Sequence, residues 1–185
     1  MFRIVPGIDP LEQHLSTLFS DPERYRPEAC PHCGMGGLWS HGCYTRKSDR
    51  PPSGDGRQNP IPIPRFRCRN PRCRRTCSRL PACIPPRRWY LWVVQQVVLA
   101  WVLSGGSLRA AAGVFAPLRG PARSTIRRWR NWLGERGADF AFLLKGRFAA
   151  LAALGEGGVF WRACLNDWSL MEAMATLDGL GEVVP

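Results

Sequence analysis

The sequence predicts an α+β chain. A small β module held by paired cysteines comes first, then three helices in helix-turn-helix order, then a helical C-terminal tail. Three observations predict it. Two close cysteine pairs, Cys30/Cys33 and Cys68/Cys73, flank short stretches that alternate like strands. Beyond Pro85-Pro86 the apolar residues recur at helical spacing, punctuated by glycine and serine. The third observation is charge. Of 26 Lys and Arg in 185 residues, sixteen lie between Gly56 and Gly134, all of them arginine and with no acid among them. The rest of the chain carries ten bases against fourteen acids, so the net +12 belongs to the central segment. With 45% apolar residues, eight Trp and eight Phe, the chain can build one medium core or two small ones. The expected parts are an N-terminal helix in 1–22, the β module in 23–86, the three helices in 87–135 and the helical region in 136–185.

In chain order, Asp9-Pro10-Leu11-Glu12 supplies an N-cap, a proline at the first helical position and an acid in the first turn. It predicts an amphipathic helix over 10–19 with Leu11, Leu15, Leu18 and Phe19 facing inward. Residues 38–41 read as a strand, 48–60 as a flexible loop, and 61–66 as an extended strand of period two. Pro62 and Pro64 remove backbone donors and predict a sheet edge for that strand. From Arg87, residues Leu91, Val94, Val98, Trp101 and Val102 mark a helix that stops at Gly105-Gly106. Ser107 caps a second helix over 108–115, where Ala111 and Ala112 allow close packing. After the linker 116–122, Ser124-Thr125 opens a third helix with Ile126, Trp129 and Leu133 inside, and Arg127, Arg128, Arg130 and Asn131 outside. The tail predicts helices over 140–154, 159–165 and 170–177, the last with a Ser169/Glu172 capping box and a stop at Gly179. Its Trp161, Trp168, Met171 and Met174 read as core or a dimer face.

Cys30-Pro-His-Cys33 is a C-x2-C pair and Cys68-Arg-Asn-Pro-Arg-Cys73 a C-x4-C pair. Tetrahedral Zn2+ takes four thiolates at about 2.3 Å, and two such turns facing each other make a zinc ribbon. The expected ligands are therefore Cys30, Cys33, Cys68 and Cys73. Other readings stay open at this point. His32 lies inside the first turn, Cys77 with Cys73 forms an alternative second pair without Cys68, and Cys43 with His41 offers part of a second site. Cys83 and Cys164 read as small packing residues. A structural zinc contributes folding energy, about 10–16 kcal/mol in small modules, so this one is expected to hold the module together rather than do chemistry.

The run RFRCRNPRCRRTC, residues 65–77, sets six arginines among three cysteines. A planar, always-charged fork suits phosphate and guanine edges. Arg65, Arg67, Arg69, Arg72, Arg74 and Arg75 are thus expected to neutralise DNA phosphates. Arg123, Ser124, Arg127 and Arg128, opening the third helix, are expected at base edges or nearby phosphates in the major groove. Phe66 is the only aromatic inside the basic run, which ranks single-stranded RNA lower. The first residues lack an uninterrupted apolar core of a signal peptide. The apolar run 89–103 is broken by Gln95 and Gln96 and is shorter than the roughly 18 residues a membrane span needs. A cytoplasmic protein away from membranes is expected, with its thiols reduced.

Cys30-x2-Cys33, Ser40-His41-Gly42, Arg65-Phe66-Arg67-Cys68 and Arg74-Arg75-Thr76-x-Ser78 resemble the zinc ribbon at the N-termini of bacterial insertion-sequence transposases and short InsA-type proteins. There a helix-turn-helix follows directly, as SLRAAAGVF and RSTIRRW do here. Pro60-Ile61-Pro62-Ile63-Pro64-Arg65-Phe66, Cys77-Ser78-Arg79-Leu80-Pro81 and Ile84-Pro85-Pro86-Arg87-Arg88-Trp89-Tyr90 more closely resemble an uncharacterised bacterial family of transposase-like zinc-ribbon proteins. The resemblance covers about residues 20–135. It departs in two places: the second pair is C-x4-C rather than C-x2-C, and Cys77 stands where the insertion-sequence ribbons usually carry Phe. It implies recognition of transposon-end or promoter-like double-stranded DNA in the bacterial cytosol; a transposase or a second copy of the chain is the expected protein partner.

No enzyme is expected. Strand transfer needs carboxylates gathered on two metals, whereas Glu135, Asp139, Glu156, Asp167, Glu172, Asp178 and Glu182 are strewn over helical stretches. The competing expectation is a zinc-ribbon interaction module that docks an acidic partner.

Overall fold

The computed structural model describes residues 3–46, 60–86, 90–118 and 120–184. Most of the expected loop at 48–60 and the expected helix start at Arg87 lie outside the described residues. The chain is mixed α and β, with small sheets and several helices, consistent with the α+β class. It divides into two compact units, residues 1–89 with 178–185, and residues 90–177.

The first unit is built on strands β2 (Leu38–Arg46), β3 (Ile61–Cys68) and β4 (Thr76–Cys77), in the sheet order β2-β3-β4. β2 and β3 run antiparallel, pairing Leu38 with Cys68 and Arg46 with Ile61. β2 is longer than the four residues expected because it continues through a bulge between Ser40 and Cys43, where Gly42 adopts φ +70°. β3 is the central strand, not an edge. β4 pairs only at Phe66 and Arg67, so the donor-less Pro62 and Pro64 lie beyond its reach. Three short strands escaped the sequence reading: β4, and β1 (Ile4–Val5), which pairs in parallel with β5 (Leu80–Pro81). The Asp178 carboxylate accepts from the backbone N–H groups of Arg3 and Ile4 at 2.7 and 2.8 Å, anchoring β1.

Alternation along β3 buries Ile61, Ile63, Phe66 and Cys68 and leaves Arg65 and Arg67 half-exposed. One core cluster joins Val5, Ile8, Tyr25, Leu38, Phe66 and Cys77; a second joins Ile61, Ile63, Leu80 and Ile84. Helix α1 (Leu11–Ser20) begins after the extended Pro10, so the N-cap position falls on Pro10 rather than Asp9 and has no side-chain cap. Phe19, expected inward, is 94% exposed, and the buried face instead holds His14 and Thr17. His14 Nε2 donates to the Pro62 carbonyl at 2.9 Å, which fixes Nδ1 as the acceptor for the Tyr25 hydroxyl. A polar residue therefore takes the inner place because both ring nitrogens are satisfied.

The second unit is helical: α2 (Trp92–Leu103), α3 (Leu108–Phe115), α4 (Arg123–Arg147), α5 (Ala149–Ala152), α6 (Gly157–Asp167) and α7 (Leu170–Gly179), whose last residues belong to the first unit. Ser107 caps α3, its hydroxyl accepting from Ala110 N–H at 3.0 Å. Trp101, expected inward on α2, is half-exposed, while Gln95 and Leu99 are buried. Gln96 donates to the carbonyls of Leu165 and Trp168 and accepts from Leu170 N–H, closing the turn between α6 and α7. α4 runs 25 residues, straight through the boundary expected at 135. It continues because Gly137, Phe140, Ala141 and Leu144 extend the buried face that Ile126, Trp129 and Leu133 begin. Gly137 lets α6 approach: a Cβ there would lie 2.8 Å from Trp161 Nε1, which donates to the Gly137 carbonyl at 2.9 Å. No helix among the described residues is long and apolar enough to cross a membrane.

Candidate metal centre

Cys30 and Cys33 sit in a turn whose flanks meet at the Ala29/Gly36 bridge, and Cys68 ends β3. Cys30 N–H donates to the Met35 carbonyl and Gly34 N–H to the Cys30 carbonyl, both at 2.8 Å, with Gly34 at φ +72°. The second turn repeats this pattern. Cys68 N–H donates to the Arg75 carbonyl at 3.0 Å, Arg74 N–H to the Asn70 carbonyl at 2.9 Å, and Arg74 adopts φ +47°. Counted back from the second cysteine, Asn70 stands where Cys30 stands in the first turn. The C-x4-C spacing thus keeps the turn and takes its first cysteine two residues earlier, from the end of the strand. Asn70 stabilises the longer loop, its Oδ1 accepting from Arg72 N–H at 3.0 Å.

The outcome is a cluster in which the sulfurs of Cys30, Cys33, Cys68 and Cys73 all lie within 4.8 Å of one another. Cys30 and Cys73 are 3.8 Å apart and Cys33 and Cys68 3.6 Å, far beyond a disulfide. Thiolates at about 2.3 Å from a tetrahedral ion stand about 3.8 Å from each other, so the spacing fits such a group. The donor set fits as well, since four soft sulfurs suit zinc and a closed structural site.

Electrostatics point the same way. The Cys33 thiol is lowered to about 7, first by the Met35 N–H. Burial pushes Cys68 up to about 12, and the neighbouring thiols add to it. Cys73 is raised although the Arg75 N–H works against it, through burial and the sulfurs of Cys30 and Cys33. Four thiolates this close repel, and a bound cation is what lets them ionise together.

The open alternatives are resolved by position. Cys77 lies in the core on β4, its Sγ directed at the Phe66 carbonyl and its thiol raised to about 11 by burial. It packs where an apolar residue would, and Cys68 and Cys73 are both in the cluster. His32 is exposed and receives the Arg75 guanidinium at 3.5 Å on Nδ1. Cys43 and His41 are exposed and form no second cluster of three ligating groups among the described residues.

Around this centre Arg69, Arg72, Arg74 and Arg75 are exposed, and Arg65 and Arg67 half-exposed. In the helical unit Arg123, Ser124, Arg127 and Arg128 are exposed over the first turns of α4, opposite buried Ile126 and Trp129. The ion pairs among the described residues, Arg26 with Glu23 and Arg136 with Asp139, involve none of these arginines. The sequence reading missed Trp39, 58% exposed beside the basic strand and covered on one side by the Arg69 guanidinium at 5.3 Å. It pairs across the sheet with Arg67, a register that the local sequence does not announce.

The class defined so far is a four-cysteine metal-site module on a small antiparallel sheet, accompanied by a helical unit. Residues 30–129 match the family described as a domain of unknown function, DUF6431, and the chain belongs to that family. The matched stretch begins at the first clustered cysteine and ends within the first turns of α4, so it spans the cluster and the basic segment. No curated protein and no solved structure matches the chain.

Proposed function

We propose that the chain is a zinc-held protein that binds double-stranded DNA, serving as a transposase-like accessory protein or transcriptional regulator in the cytoplasm. It has no catalytic step of its own. Zn2+ on Cys30, Cys33, Cys68 and Cys73 would make the first unit a zinc ribbon, tying β3 to both cysteine turns. α2, α3 and α4 pack on one another and would act as a helix-turn-helix with α4 in the major groove.

The observation that carries this reading is the set of exposed arginines, around the cysteine cluster and over the start of α4, that form no ion pair among the described residues. An arginine face kept for solubility normally mixes in acids. α4 supports a phosphate partner in a second way. Its first turn holds no acid and Ala122 gives no side-chain cap, so the positive helix end and its N–H groups remain for an anion.

The test is a duplex titration at rising NaCl. About six phosphate contacts give a log–log slope near −5. Replacing Arg127 and Arg128 with Ala removes discrimination between duplex sequences while zinc stays bound. A slope near zero overturns the proposal. A steep slope with unchanged discrimination in that variant moves the reading to an interaction module for an acidic partner.

A further inference from the structure

We propose that the outer face of the β2–β3 hairpin binds an unpaired DNA strand, with a base stacked on Trp39. This rests on the nucleic-acid reading of the basic segment but not on groove reading by α4. Phe66, the aromatic within the basic run, is buried in the core. The hairpin's exposed aromatic comes from the opposite strand: Trp39 pairs across the sheet with Arg67 and is 58% exposed.

Trp39 is held as a platform. Gly37, at φ +76°, accepts from Arg69 N–H at 3.2 Å and leaves room for the Arg69 side chain, since a Cβ there would lie 2.9 Å from Arg69 Cδ. The Arg69 guanidinium lies 5.3 Å from the Trp39 ring centre, and Arg65 lies 6.0 Å from that of Tyr44. The indole presents a flat π-face with arginines beside it, the pairing of stacking platform and cations that a base and its phosphates can use. Among the described residues, Arg67 opposite it and Arg69 over it set two cations beside the indole, and a polyanion is their complement. Duplex DNA hides the faces of its bases. A flexible single strand offers phosphates to Arg67 and Arg69 and a free base face to the indole, the combination single-strand binders use.

The test compares zinc-loaded wild type, Trp39→Phe and Trp39→Leu for binding to a labelled oligo(dT) and to a duplex of equal length, over a range of salt. Trp39→Leu is expected to weaken oligo(dT) binding about 5- to 150-fold, the span of one base–aromatic stack. Trp39→Phe should keep most of the affinity, duplex binding should change less than about twofold, and the salt slope should stay put because no charge is removed. A 2-aminopurine base within the oligo(dT) should be quenched by wild type and Trp39→Phe but not by Trp39→Leu. Equal affinities for the Phe and Leu variants overturn the proposal, as does an equal loss on single strand and duplex. Tighter wild-type binding to oligo(rU) than to oligo(dT) also overturns it and assigns the face to RNA. If Trp39 controls oligo(dT) binding while duplex does not bind at all, the proposal stands and the groove-reading function fails alone.

Discussion

Asn70 is the residue that lets a C-x4-C pair behave as a knuckle, and replacing it tests the geometry of the cluster. Its Oδ1 closes the loop on Arg72 N–H at 3.0 Å, and its amide nitrogen faces Met35 Sδ at 3.1 Å and Cys33 Sγ at 3.8 Å. Asn70→Ala removes both. The turn bond is worth about 1 kcal/mol, and donation toward a charged sulfur about 1 kcal/mol more. Together, at about 1.4 kcal/mol per decade, they predict a zinc affinity lower by about 30-fold, within the range seen when groups that orient metal ligands are lost. Asn70→Asp keeps the turn oxygen but sets a carboxylate beside the Cys33 thiolate, so it should bind zinc no better than Asn70→Ala. Competition against a chromophoric zinc chelator reads both. An Asn70→Ala protein within about threefold of wild type would refute the assignment of Asn70 to the turn.

Two other predictions follow from buried groups. Burial lowers the pKa of His14, opposed by the Pro62 carbonyl that accepts from its ring. Below about pH 6.5 the unfolded chain gains a proton that the folded chain refuses. Stability tied to neutral His14 is therefore present above that pH and lost as pH falls toward the folded value, by at most about 1.4 kcal/mol per unit. Urea unfolding at pH 7.5 and 5.5 should show a larger loss in wild type than in His14→Gln, a difference that cancels any acid loss at the thiols; equal losses would contradict it. Gly137→Ala places a methyl against Trp161 Nε1 and breaks its bond to the Gly137 carbonyl. It should destabilise the helical unit by about 2 kcal/mol, seen as a lower urea midpoint with the same slope.

What the sequence made legible was chemistry with a fixed spacing or a fixed period. The four cysteines that cluster are the four whose spacing marked them. Ser107, Ile126, Trp129 and Leu133 play the structural parts that capping and helical period assign, because these effects act within a turn or two of the residue itself. The misreadings concern partners distant in the chain. Nothing near His14 announces Tyr25 and Pro62, whose atoms turn a polar residue inward while Phe19 turns out. The two prolines of β3 pointed to an edge, yet β4 is short enough to pair past them. α4 outran its expected end because Trp161, far along the chain, completes the packing at Gly137. Trp39 went unremarked because its importance lies across the sheet, opposite Arg67 and under Arg69. The C-x4-C departure was visible, but its remedy through Asn70 depends on hydrogen bonds that spacing does not encode.

In the proposed function, zinc on the four clustered cysteines holds together a reader of double-stranded DNA. Zinc per chain by elemental analysis, with duplex titrations in NaCl on the same sample before and after chelation, tests it most directly. One zinc per chain is expected, with steeply salt-dependent duplex binding that disappears with the metal. A chain without zinc, or one whose duplex binding is indifferent to chelation and salt, would contradict it.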